Sequence, residues 1–284
     1  MAVDVVAAIL RALSFIALFQ ATGIVVFRTL FGARVPAVAA PLQRIGFAAA
    51  LLAMVLLAAH YALEAGRMGG DFASVLDPSL QQLALHSPAA LVLAVRWLGL
   101  LLVALALRAR SGGTTLGILG VVFVIGSFAL MGHTVTHSPR PLLAPMLLIH
   151  VFVVTFWFGA LVPLYLASKR ARPTDAAALT EAFSALAVWI VPVLFVVGVV
   201  LAVFIVKTFA ALRSTYGALL LAKATGFAAL MGLATLNKWR LGPALAGGDP
   251  RVEAWFRRSL TMEYLLITAV LSVTAVMTGF YSPE

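Results

Sequence analysis

Five histidines and a handful of methionines are the side chains in this sequence best equipped for chemistry. His133 and His137 stand four residues apart, as do Met146 and His150, so on helices each pair projects from one face. The stretch Pro139-Arg140-Pro141 lies between the pairs and predicts a turn, which makes them neighbours on a helical hairpin. His133 falls about seven residues before that turn and His150 about nine after it, so at about 1.5 Å rise per residue they reach similar depth. Imidazole with thioether suits copper, Cu(I) above all, whereas hard cations want carboxylates. The same donors also serve as axial ligands of a haem. With no Cys in the chain, disulfides, thiolate metal sites and Cys nucleophiles are excluded.

These residues must be positioned by elements that live in a membrane. Of 284 residues, 63% are hydrophobic and 11% charged, and mean hydropathy is +1.09. A soluble domain carries about 25% charged residues, so this chain cannot cover a water-facing surface. The expected fold is an all-α polytopic transmembrane bundle of about eight spans, forming a single transmembrane domain over 1–284. The spans are placed near 4–27, 45–64, 88–107, 114–134, 142–167, 183–206, 216–236 and 259–281. The first is too long for a signal peptide and has no small-residue cleavage site before Arg28. The short alternating segments of an outer-membrane barrel are absent.

Lys and Arg collect in alternate loops: Arg28, Arg34 and Arg44; Arg108 and Arg110; Lys169, Arg170 and Arg172; Lys238, Arg240, Arg251, Arg257 and Arg258. The other loops hold only Arg67, Arg140, Lys207 and Arg213. By the positive-inside rule the first set is cytoplasmic and both termini face outward. The formal charge of +10 is thus mostly a topology signal. It requires no nucleic acid, and its expected partner is anionic membrane lipid at the basic loops. The longest outer loop, about 65–87, carries Asp71, Asp77 and the turn pair Gly69-Gly70. A short internal echo, W-x-G at Trp97/Gly99 and at Trp157/Gly159, is too brief to establish a repeat.

With this topology all five histidines lie on the outer side: His60, His86, His133, His137 and His150. Together with Met146 they form the candidate metal set. The competing reading is that His60 and His86 are polar helix ends and that Met146 fills a packing gap; an imidazole inside hydrocarbon carries a functional expectation by itself. Arg11, Arg96 and Lys223 lie at the same outer depth, while the deep carboxylate Glu263 sits toward the opposite end. Three cations oppose the passage of a copper ion. An anionic cofactor reverses the sign: haem b, held axially by two of His60, His133 and His150, would bring propionates to Arg11, Arg96 or Lys223. Alternatively the cations snorkel or bond to exposed carbonyls.

Several stretches together resemble the copper-resistance protein D (CopD/PcoD) family. They are Gly132-His133, His150 followed by Trp157-x-Gly159, Tyr216-Gly217-x-x-Leu220-x-x-Lys223, Asn237-Lys238, and Glu263 at the start of the last span. The resemblance implies an eight-helix protein of the bacterial inner membrane that helps copper uptake or tolerance, often beside a small periplasmic CopC-like copper-binding protein. No CopC-like domain is fused to this chain, and its outer loops lack Met-rich or His-rich repeats. A scaffold that delivers copper to a partner would instead rely on outer-loop residues such as Asp71, Asp77 and Arg140. No Ser-His-Asp arrangement or phosphate-binding Gly loop is present, and no ATP-binding domain, so an ATP-driven step would need another subunit.

Overall fold

The computed structural model describes residues 2–109, 112–130, 140–205 and 213–280, and their regular structure is helical throughout. The chain is a multi-pass, all-α membrane protein. Its long helices are α1 (Ala2–Phe31), α2 (Ala39–Ala62), α5 (Pro88–Arg108), α7 (Arg140–Arg170), α8 (Pro173–Ile205), α9 (Thr215–Leu236) and α10 (Pro250–Phe280). The loop after α2 folds into two short helices, α3 (Glu64–Gly69) and α4 (Pro78–Leu85). Proline opens α4, α5, α8 and α10, where its missing N–H costs nothing and its fixed φ suits the first turn.

Among the described residues seven helical stretches are long and apolar enough to cross a bilayer. The eighth expected span is shorter: α6 (Gly113–Gly126) ends in a 3-10 turn at Ser127–Ala129. Residues 131–139, the remainder of that span and the turn after it, lie outside the described residues. α5 and α9 match their expected spans, whereas α1, α2, α7, α8 and α10 run longer than expected. At 33 residues α8 is about 50 Å long, against a hydrocarbon core of about 30 Å. Apolar runs mark only the part of a helix inside hydrocarbon, so the polar turns beyond were invisible to that criterion.

α1 is the hub, packing on α2, α6, α7 and α10. Its approach to α7 is backbone on backbone: a Cβ on Gly23 would collide with Gly159 Cα and Thr155 O. α5 and α6 meet in the same way, a Cβ on Gly99 falling 2.8 Å from Gly120 O. Small residues at crossings suit a membrane bundle, where dispersion rather than water expulsion holds helices together. α9 packs mainly on α10 and little on α8. That divergence opens a cavity described below.

Candidate functional site

The half of the bundle at the start of α1 and the end of α2 holds two clusters of polar side chains. In the first, Arg11 on α1 donates from Nε to His60 Nε2 on α2 at 3.3 Å and from Nη1 to Thr278 Oγ1 on α10 at 3.4 Å. The bond to His60 requires a neutral imidazole with Nε2 unprotonated. Arg96 on α5 donates from Nε to Ser127 Oγ at 2.9 Å and lies over the Phe128 ring, 4.5 Å from its centroid. Ser127 Oγ in turn donates to the Val124 carbonyl at 2.6 Å. The guanidinium is thereby held by a hydroxyl and a ring face instead of a carboxylate. Arg11 and Arg96 both lie close enough to His60 for their charges to act on it.

The second cluster lies between α7 and α8. His150 faces Gly198 on α8, close enough that a Cβ there would be in ordinary van der Waals contact with the imidazole, 3.7 Å from Cε1. His150 Nδ1 is buried and has no hydrogen-bond partner. One turn earlier Met146 packs against the small cluster of Leu143, Val197 and Leu201, so both side chains point at α8 as the four-residue spacing predicted. Lys223 on α9 acts electrostatically on His150.

His86 stands apart, ending α4 with Nδ1 on the Gln82 carbonyl at 2.8 Å, exposed. His133 and His137 lie outside the described residues. Among the described residues no three of His, Cys, Asp and Glu gather as a metal site. Arg11 and His60, which helical rise puts at one depth, are thus in direct contact, and Arg96 is held by Ser127 and Phe128, whereas His150 with Met146 forms a separate pair. To bind a metal through Nε2, His60 would have to release Arg11.

Asp71 and Asp77 serve the loop itself. Asp77 caps α4, accepting from the Ser79 and Leu80 amides, and Asp71 accepts from the Ser74 amide. The hydroxyl of Ser79 and these amides hold the Asp77 carboxyl below the usual carboxylate range.

A third polar group occupies the opposite half. Glu263 on α10, 2% exposed, accepts from Trp157 Nε1 of α7 at 2.9 Å and from Asn237 Nδ2, just past α9, at 2.5 Å. All three line a cavity of about 700 Å³ between α7, α8, α9 and α10. Asn237 Oδ1 is buried without a partner. Sequence reasoning put Asn237 and Glu263 together as polar residues at the inner exit of a copper path, but it did not foresee Trp157 as their partner, because residues on three helices share no spacing. It also passed over Gln20, buried in mid-α1 with neither amide atom bonded, although a lone Gln in an apolar run was a visible signal.

Two family models match the sequence: the copper resistance protein D-like N-terminal domain over residues 1–139, and copper resistance protein D over residues 176–277. The chain belongs to the copper resistance protein D family. This assigns it to the membrane copper resistance proteins, as the motif resemblance implied. Comparisons with curated proteins and with solved structures found no match. The second matched region contains Lys223, Asn237 and Glu263, and the first contains Arg11, His60 and Arg96.

Proposed function

We propose that this protein handles copper as cargo in the bacterial inner membrane, supporting uptake or tolerance, and that the ion is received in the outer half at His150. The observation that carries this reading is the buried, unpartnered Nδ1 of His150 with a thioether one helical turn away. An orphaned imidazole nitrogen costs stability, about 1–3 kcal/mol, which a ligand-binding role explains. His133 and His137 would extend the donor set, and a periplasmic CopC-like protein would deliver the ion. His60, His86 and Met146 remain secondary donors in this proposal, His60 because its Nε2 is engaged by Arg11.

The test is copper accumulation and tolerance in cells lacking the native protein and expressing His150→Ala. Both should fall toward the vector-only level, and unchanged values would sink the reading. Haem b remains the competing occupant, with Arg11, Arg96 or Lys223 at its propionates. A Soret band in protein expressed with ample haem would replace copper with electron transfer. Lys223→Met separates the two by sign: removing a like charge should tighten copper binding, whereas removing a propionate partner should weaken haem binding.

A further inference from the structure

Among the described residues every ion-paired carboxylate faces an arginine near a helix end: Arg67 with Asp4 and Glu64, Arg172 with Asp175, Arg257 with Glu253. Glu263 does not. Its two donors, an indole N–H and an amide N–H, are neutral. An uncompensated carboxylate buried in a bilayer is costly, and protonation removes that cost. Indole and amide donors can bond either form, so the site does not force one charge state.

The surroundings admit a proton. The cavity that Glu263 lines also includes Lys238 and Trp239, beside the basic turns that end α9, and Trp239 is 72% exposed. On the α8 wall the polar groups are the hydroxyls of Thr180 and Ser184, with no charged side chain. From α7 the facing group is Trp157. On the side of α9 the charged group is Lys238, whose ammonium lies over the Trp239 ring at 4.7 Å. On α10 itself the neighbours are Tyr264, stacked on Phe158, and the Glu253–Arg257 pair nearer the basic end. The second amide atom of Asn237 is unsatisfied, which marks a place for a cavity water beside the carboxyl.

We infer that Glu263 is a proton-binding site that loads and unloads through this cavity from the basic, cytoplasmic end of the bundle. In unloading, a cavity water accepts the proton from a carboxyl oxygen, and the bonding electron pair stays on the carboxylate. Trp157 Nε1 and Asn237 Nδ2 then donate to the anion. Loading reverses these steps. Resting on the copper reading, this makes the proton the ion exchanged against copper: the chain's outer half carries cations and imidazoles, and Glu263 is the deep group of opposite sign.

Dicyclohexylcarbodiimide, an apolar reagent that forms a stable acylurea with a protonated carboxyl, tests the site without copper. Wild-type protein in lipid nanodiscs is treated at mildly acidic and at alkaline pH, and the adduct is located by peptide mass spectrometry. The adduct should fall on Glu263 and drop several-fold at alkaline pH, and Glu263→Gln should lose it. No adduct at Glu263, or equal yield at both pH values, overturns the proposal. In proteoliposomes, Glu263→Gln should lower copper flux several-fold and remove its pH dependence; wild-type flux with retained pH dependence overturns the coupling. If wild-type protein moves no copper, the copper reading fails while the labelling result still decides the proton site.

Discussion

At the scale of single residues, the sequence placed guanidinium and imidazole groups at one depth by counting helical rise, and left open what held them. The structure supplies the partners: Arg11 leans on His60 and Thr278, and Arg96 on Ser127 and Phe128. A buried cation satisfied by so few groups is sensitive to the loss of one. Ser127→Ala, which deletes the acceptor and leaves Arg96 only the Phe128 ring, should destabilise the protein by about 1.5–3 kcal/mol. Thermal unfolding of detergent-solubilised protein measures this, and a change below about 0.5 kcal/mol would show that water replaces the hydroxyl. His150 behaves oppositely. Its Nδ1 has no bond to lose, and removing that unsatisfied atom offsets the packing lost with the ring, so His150→Ala should change thermal stability little while copper accumulation falls.

The relevant feature of the elements is how closely they cross. Trp157-x-Gly159 and Trp97-x-Gly99 looked like a chance echo, yet both glycines lie at a helix crossing, Gly159 against Gly23 and Gly99 against Gly120. Both indoles reach an acceptor on another helix, Glu263 for Trp157 and the Met54 carbonyl for Trp97. Gly159→Ala should push α7 from α1 and cost about 1–3 kcal/mol in the same unfolding assay. Gly232→Ala, where a new Cβ meets nothing within 4 Å, is the control and should be neutral or stabilising through helix propensity. The loop between α2 and α5 offers a pH counterpart. The α4 cap is intact above the usual carboxylate range and is lost as pH falls through the lowered value of Asp77. Amide protection at Ser79 and Leu80, the measured exchange rate against the intrinsic rate at the same pH, should therefore fall at acid pH in wild type. Asp77→Ala should show that low protection at neutral pH as well.

For the whole molecule, charge is segregated along the bundle. Arg257 Nη1 reaches the Ser168 carbonyl at 3.3 Å, which ties the basic start of α10 to the basic end of α7. The positive-inside rule puts this end in the cytoplasm. Because the sequence has no Cys, single cysteines report orientation without background. Ser74→Cys, in the outer loop, should react with an impermeant maleimide in intact spheroplasts, and Ala171→Cys, beside Arg172, only after permeabilisation. The reverse pattern would invert the topology and move the Glu263 cavity to the periplasmic side.

Composition and periodicity alone determined a helical membrane bundle, because burying backbone in hydrocarbon leaves a chain this apolar little other choice. Loop charge determined its expected orientation, and helical rise determined the shared depth of Arg11, His60 and Arg96. Side-chain meetings between distant helices were decided only by the tertiary structure: Arg11 with His60, forty-nine positions apart, and Trp157 with Glu263, one hundred and six apart. Periodicity records which face of a helix is apolar, and it carries no term for which helix lies opposite. The divergence of α8 from α9 belongs to the same class. α9 packs mainly on α10 and little on α8, and the gap turns a lone intramembrane carboxylate into one that opens on a cavity.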